Sequence, residues 1–545
     1  MVVAEAVGRA LASLGADAVF GLLGSGNLTV TNAMRDGGAR FVSSRHETAA
    51  VCMADGYARV SGRLGVASVH QGPGLTNAVT GLTEAAKSRT PLVLVAADTP
   101  AAALRSNFRI DQAGLVESVG AVTERVHGPA TAMADVARAV RRARVERRAV
   151  VLMLPLDVQA AECPDPALPA PGPELRPPAP DAAAVEALAA LLADAERPAL
   201  VAGRGAALAA AGPALRRLGE QTGAVLATSA VANGLFAGDP YDLGIAGGFA
   251  SPLAARLLRE ADAVVAFGAA LNQWTTRHGT LIAADARVAQ VDLDADAIGA
   301  HRPVELGVVG DAAATAEALV AALGGRAARG AARRDAALAE DIRDYRWHSE
   351  RYDEATGGLD PRTLSIALDE MLPDERTVVV DSGHFMGWPA MYLRVPDAAG
   401  FVFAQAFQCV GLGLANAIGA ALARPDRLTV AAVGDGGALM ALGELETLGR
   451  LGLPILVVIY DDAAYGAEVH HFRPMRQAVD LAQFPPTDFA ALAEAAGCSG
   501  LTARTAADLE GVREWLGRRD RPLVLDAKLD PDVVAGWLEE AFRSH

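Results

Sequence analysis

The stretch that decides the fold runs from Leu428 to Gly466 and reads LTVAAVGDGGALMALGELETLGRLGLPILVVIYDDAAYG. Leu428–Val433 is a short β-branched run, hence a strand, and it ends in Gly434-Asp435-Gly436-Gly437. A helical pattern follows over Ala441–Leu451, and Pro454 leads into a second strand, Ile455–Tyr460, that ends in Asp461-Asp462. Strand, helix and strand in this order form a βαβ unit with acidic groups at two carboxyl ends, the edge where open parallel sheets bind ligands. Gly434, Gly436 and Gly437 let backbone N–H groups come close to an anion. Carboxylates from neighbouring strand ends suit Mg²⁺, which phosphate oxygens and water then complete. By itself Gly-Asp-Gly is also a tight turn, and Asp-Asp a helix cap. The 27-residue offset from Asp435 to Asp462, with a strand at each end, favours the ligand site.

The same alternation extends along the chain. Strand candidates are Gly65–His70, Pro91–Ala97, Ala149–Pro155, Ala199–Gly203, Ala263–Gly268, Thr377–Asp381 and Leu523–Asp526, and helical patterns such as Asp181–Ala195 and Pro361–Leu372 lie between them. This implies an α/β protein of parallel sheets covered by helices on both faces. At 545 residues the chain has room for about three domains. Pro164–Pro180 holds eight prolines and reads as an extended linker. A charged run around Gly324–Gly358, including Arg326, Arg329, Arg333, Arg334, Asp341, Arg343, Asp344 and Arg346, reads as a solvated connecting helix. The expected division is a domain over 1–162, the proline-rich linker 163–181, a central domain over 182–323, the charged linker 324–358 and a last domain over 359–545.

A net charge of −16 argues against a nucleic-acid or anionic-membrane binder, because no basic surface is available to neutralise phosphates. Four scattered cysteines fit neither a disulfide framework nor a zinc site and suggest a reducing, cytoplasmic setting. Glu5 and Arg9 interrupt the apolar N-terminus, so it reads as an amphipathic helix rather than a signal peptide. Ala398–Ala423 carries no charge but contains Gln405, Gln408, Asn416 and four glycines, so it reads as a buried strand-turn-helix passage rather than a membrane span.

The Gly434–Tyr465 segment resembles the thiamin-diphosphate fingerprint, in which Gly-Asp-Gly is followed by Asn at the same offset. The resemblance implies that Asp435 and Asp462 hold Mg²⁺ (or Ca²⁺) by their side chains and Ala464 by its carbonyl, with Gly434, Gly436, Gly437 and Tyr465 around the cofactor. Asp462, where the family usually has Asn, is a departure that adds negative charge beside a diphosphate. Thiamin chemistry also needs a buried carboxyl group at the cofactor's aminopyrimidine. The candidate is Glu47 in Arg45-His46-Glu47-Thr48-Ala49-Ala50, which follows the strand-like Ala39–Ser44 and opens an apolar helix. A first-turn glutamate favoured by the helix dipole is the bland alternative. With Ala54-Asp55-Gly56-Tyr57-Ala58 the pattern resembles the pyrimidine-binding domain of acetolactate synthases, benzoylformate decarboxylases and benzaldehyde lyases. The resemblance covers nearly the whole chain. It implies three doubly wound domains (pyrimidine-binding, central and diphosphate-binding) and at least a homodimer, or a homotetramer, whose pyrimidine and diphosphate sites face one another across subunits. Val410, before Gly411-Leu412-Gly413, falls where the family wedges an apolar residue under the bent cofactor, and Asp381-Ser382-Gly383-His384-Phe385 falls where acetolactate synthases carry Gly-Gln-His, which implies a contact of His384 with the diphosphate.

Substrate clues divide. Gly24-Ser25 and His70 resemble benzoylformate decarboxylase, where a serine and a histidine touch substrate. Gln112 in Ile110-Asp111-Gln112 resembles the glutamine that lines the site of benzaldehyde lyase and acetolactate synthase. Glu468 falls where pyruvate and indolepyruvate decarboxylases carry a catalytic glutamate; a surface glutamate is the alternative. His278, His470 and His471 are weaker candidates. The implied function is a carboligase of the acetolactate synthase type, acting on a 2-oxo acid and a carbonyl acceptor; Gly72–Asn77 and Gln112 favour it. Glu468 favours the alternative, a simple decarboxylase that releases an aldehyde. FAD, carried by some acetolactate synthases, is left open. Two other classes stay in view: a nicotinamide oxidoreductase using Gly203-Arg204-Gly205, and a catalytically silent binding relative.

Overall fold

The computed structural model describes residues 1–543 apart from 171, 174, 346, 348, 349 and 353–356. Its strands form three six-stranded parallel sheets. The first holds β1 (Ala18–Gly21), β2 (Arg40–Ser43), β3 (Gly65–Val69), β4 (Leu92–Asp98), β5 (Val122–Arg125) and β6 (Ala149–Pro155), in the order β2-β1-β3-β4-β6-β5. The second holds β7 (Pro198–Ala202), β8 (Val225–Thr228), β9 (Asp242–Ile245), β10 (Ala263–Phe267), β11 (Arg287–Asp292) and β12 (Leu306–Val309), in the order β12-β11-β10-β7-β8-β9. The third holds β13 (Arg376–Val380), β14 (Phe401–Phe403), β15 (Leu428–Gly434), β16 (Leu456–Asp461), β17 (Ser499–Ala503) and β18 (Leu523–Lys528), in the order β14-β13-β15-β16-β18-β17.

The first and third sheets share one strand order, a kinship that letters alone do not reveal. In both, the order reverses between the first and third strands, which opens a crevice at the carboxyl edge. In the third sheet the crevice lies between the ends of β13 and β15, where Asp381 and Asp435 follow. The central strands β4, β6, β15 and β16 are buried along their whole length, which is why they read as continuous apolar runs rather than alternating ones.

The uncharged stretch 398–423 folds as β14, a loop and the helix Gly413–Ala423. No helix among the described residues is long and apolar enough to cross a membrane. Helix Gly413–Ala423 packs against helix Glu47–Ser61, and one apolar core runs through both, from Met53 and Tyr57 to Leu414 and Ile418. Contact is backbone to backbone: a Cβ on Gly56 would lie 2.2 Å from the Asn416 carbonyl oxygen. A Cβ on Gly419 would lie 1.9 Å from that of Met53. The pairing of 56 with 416 and 53 with 419 makes the helices antiparallel.

The helix expected over Ala441–Leu451 is present as Gly443–Leu451, and a short helix not expected, Asp435–Met440, precedes it. The charged run after Gly324 holds a 3-10 turn, Ala331–Arg333, and the helix Ala336–Asp344, and it is only partly solvated. Arg334 donates from Nε to the Ala224 carbonyl (2.8 Å) and lies over the Tyr241 ring, and Arg333 donates to the Pro198 carbonyl (3.1 Å). Arginine can be drawn in this way because its stem is apolar and its planar head stacks and donates at once. Arg346, and Pro171 within the proline-rich segment, lie outside the described residues. The described residues of 164–180 form neither helix nor strand.

Candidate active site

A cavity of about 690 Å³ opens at the carboxyl edge of the third sheet. Its floor comes from the ends of β13, β15 and β16, which bring Ser382, Gly383, His384, Gly434–Gly437, Asp462, Ala464 and Tyr465 together with Val410 and Glu468. The central domain adds Arg204, Asn272 and Trp274, and the C-terminal segment adds Trp537, Leu538 and Phe542.

Register explains the acidic floor. Gly434 pairs with Tyr460, so Asp435 and Asp461 leave neighbouring strands side by side. Asp435 accepts N–H bonds from Gly436 (2.8 Å) and Ala464 (3.0 Å). Burial, then Asp462 and Asp461, push its carboxyl up to about 8. Asp461 is already paired with Lys528, which also bridges to Asp526 (2.9 Å). Asp462 is the carboxylate left facing the cavity, with its Oδ2 3.8 Å from His384 Nδ1. Crowded carboxylates of this kind are the setting a divalent cation relieves. Among the described residues no three His, Cys, Asp or Glu side chains converge on one point. Asp435 and Asp462 are close enough to repel, a setting that a cation completed by ligand oxygens and water would fit.

The anion side fits as well. A Cβ on Gly436 would meet the Tyr465 ring at 2.6 Å, and one on Gly437 would meet Asp381 Oδ2 at 2.6 Å. His384 is buried, and its Nε2 accepts the Ala535 N–H at 3.0 Å. A neutral imidazole with that lone pair occupied carries its proton on Nδ1. Nδ1 has no hydrogen-bond partner, nor has the buried Gln405 Nε2. Both line the cavity as unfilled donors, the complement an anionic group needs. Glu468 and Tyr465 are exposed at the cavity wall, and Val410 is half-buried beside Gly437. His471 stacks on Phe542 (3.9 Å between ring centres), and His278 meets the Glu540 carbonyl at 2.7 Å; both brace the C-terminal segment.

Glu47, Ser25, His70 and Gln112 are not in this cavity. They gather at the carboxyl edge of the first sheet. Glu47 is 8% exposed and accepts from Asn77 Nδ2 at 3.1 Å. His70 Nδ1 accepts the Gly26 N–H (3.1 Å); burial lowers its pKa while Glu47 pulls the other way. Ser25 is exposed in the loop after β1. Gln112 was expected to line a site, yet its amide is buried and used at both ends, donating to the Ala97 carbonyl (3.1 Å) and accepting from Gly72 (2.8 Å). Glu47 starts its helix and Arg59 is near its end, about 18 Å apart at 1.5 Å per residue. Arg59 reaches Phe403 beside the cavity, so in one chain Glu47 is at the far end of the antiparallel pair.

Sequence reasoning did not single out Trp537, which lines the cavity, or Asp381, which lies behind it. Asp381 accepts the Gly411 and Leu412 N–H groups (2.9 and 3.1 Å) and fixes the loop that carries Val410. The glycines at 203 and 205 have a packing explanation: a Cβ on Gly205 would lie 2.7 Å from the Gly268 Cα.

Comparison with known proteins places the chain in a family. Three domain descriptions match: the thiamine pyrophosphate enzyme N-terminal TPP binding domain over residues 1–115, its central domain over 185–319, and its C-terminal TPP binding domain over 381–527. The chain is 31% identical to the sulfoacetaldehyde acetyltransferase of Rhodobacter capsulatus, over 98% of each chain. It is 31% identical to the acetolactate synthase large subunit of Parasynechococcus marenigrum, over 91% of this chain and 82% of that one. It is 32% identical to a probable 2-ketoarginine decarboxylase of Pseudomonas aeruginosa, over 85% and 82%. The chain therefore belongs to the thiamine pyrophosphate enzymes, with thiamin diphosphate as its cofactor and transferase or lyase chemistry as its work.

Proposed function

We propose that this enzyme is a Mg²⁺-dependent carboligase resembling acetolactate synthase, which decarboxylates a 2-oxo acid and transfers the acyl unit to a carbonyl acceptor. The observation that carries the cofactor part of this reading is the cavity in which Asp435, Asp462, the glycine cradle and His384 meet; the carboligase part rests on the resemblance to acetolactate synthases. Asp435, Asp462 and the Ala464 carbonyl would hold the cation. His384 Nδ1–H and Gln405 would donate to the diphosphate, with Gly436 and Gly437 giving it room. When bound, thiamin diphosphate would supply a nucleophilic carbon that adds to the substrate's carbonyl carbon and an electron sink for the pair left when CO₂ departs.

The chain's own groups do the rest. Val410 would support the cofactor from below. Glu468, exposed at the wall, is free to carry a proton to or from the reacting carbonyl oxygen or carbon. Aromatic and aliphatic side chains of the C-terminal segment exclude water. Glu47, with His70 and Ser25 nearby, would complete the site from a second copy of the chain, because one chain keeps it away from its own cavity. We accordingly read the protein as a homodimer or homotetramer. Its four cysteines are free, which suits the cytoplasm.

Glu468 also favours a second reading, a simple decarboxylase in which that carboxyl group protonates the product. The deciding experiment incubates the purified enzyme, thiamin diphosphate and Mg²⁺ with pyruvate and other 2-oxo acids, 2-ketoarginine included. Each is run with and without an acceptor from a panel of aldehydes, ketones and sulfoacetaldehyde. A condensed product supports the carboligase; aldehyde and CO₂ alone support the decarboxylase.

A further inference from the structure

A buried charge cluster joins the three domains beside the cavity. Glu84 and Asp55 are fully buried, and both pair with Arg59 (2.8 Å each). Asp55 also accepts from the Thr90 hydroxyl (2.6 Å), and Arg59 also meets Ser88. Arg204, from the central domain, donates to the Ser88 carbonyl (2.6 Å). Such a cluster costs desolvation and is weak evidence of stability in itself. Its outward contacts give it another use. Glu84 accepts the backbone N–H groups of Ala406 (3.2 Å) and Phe407 (2.7 Å), and Arg59 donates to the Phe403 carbonyl (3.0 Å). Burial works against the Glu84 charge, but Arg59 and these N–H groups outweigh it and hold its carboxyl below the ordinary value. Four residues on, Asp381 grips Gly411 and Leu412. Between the two grips lie Gln408, a non-glycine residue at φ +59°, then Cys409 and Val410. A short loop fixed at both ends by carboxylates from different domains cannot relax that left-handed residue alone.

We propose that Glu84, oriented by Arg59, is a positioning residue that sets residues 406–410, and so Val410, against the cofactor. This rests on the cofactor reading of the cavity. The action is on geometry: no proton or bond is transferred by Glu84.

Hydrogen exchange in the unmutated full chain reads the grip directly. The amides of Ala406, Phe407, Gly411 and Leu412 exchange far more slowly than those of Gln408 and Cys409; equal rates overturn the proposal. Glu84→Gln then raises the thiamin diphosphate concentration for half-maximal activity by about ten- to a hundredfold, as expected for loss of a hydrogen-bonded charge. Turnover at saturating cofactor falls too. Combined with Val410→Ala, its loss is no greater than the larger single loss, because both act through one loop; additive losses overturn the proposal. If Glu84→Gln does not fold, Arg59→Lys enters the same cycle, since an ammonium cannot reach Glu84 and Phe403 together. Activity that never responds to thiamin diphosphate in the unmutated enzyme is the failure of the cofactor reading instead.

Discussion

Gly419 lies against Met53 so closely that a methyl group on it would sit 1.9 Å from the Met53 carbonyl oxygen. The obstacle is backbone on a helix, which cannot rotate away. Gly419→Ala is therefore expected to destabilise the chain by about 2–3 kcal/mol, the range of overpacking in a dense core. Thermal unfolding measures it; an unchanged melting temperature would show that the helices can part at little cost.

The same helix pair sets Glu47 apart from its own chain's cavity, and this has a kinetic consequence. Glu47→Gln should lower turnover by a factor of about a hundred or more while leaving the melting temperature unchanged. Asp435→Asn should be equally inactive. Mixing and reassociating the two dead variants should restore about a quarter of wild-type activity, because half of the dimers would carry one intact site. No recovery after verified subunit exchange would mean that both residues serve a site within one chain.

Asp462 stands where an uncharged amide would also offer an oxygen. Asp462→Ala should weaken Mg²⁺-dependent cofactor binding by about ten- to a hundredfold. Asp462→Asn should stay within about tenfold of wild type, since it keeps a ligand oxygen and removes a repulsive charge. Calorimetric titration with thiamin diphosphate, with and without Mg²⁺, checks both. A harmless alanine would remove Asp462 from the metal site.

Burial pushes the Asp381 carboxyl up to about 6, against the N–H bonds it accepts. The folded chain thus binds this proton more tightly than the unfolded chain, whose carboxyl is near 4. Stability from this group is full below about 4 and is lost as pH rises through about 6. The melting temperature of the unmutated chain, relative to Asp381→Asn, should fall between pH 5 and pH 7.5. An unmutated melting temperature that instead rises relative to Asp381→Asn over that range contradicts the assignment.

Local motifs were the legible part of the site. Asp435 and Asp462 follow strands whose β-branched runs announce themselves, and Glu47 opens a helix within an uninterrupted pattern. Long-range partnerships left no such trace. Glu84 is one acid in an ordinary helix, and nothing near it says that its carboxylate ends on the amides of Ala406 and Phe407. Asp381 is at a strand end like several others, and only the fold brings Gly411 to it. Gln112 shows the converse: its place on the chain fits a site, yet two backbone groups take up its amide. Strand order was equally hidden, so the shared order of the first and third sheets had to be seen rather than read.

Trp537, Leu538 and Phe542 wall the cavity, yet they follow the last strand of the sheet and belong to none. Exchange of one short segment outside the sheet would therefore reshape the cavity wall while the floor built on β13, β15 and β16 stays in place.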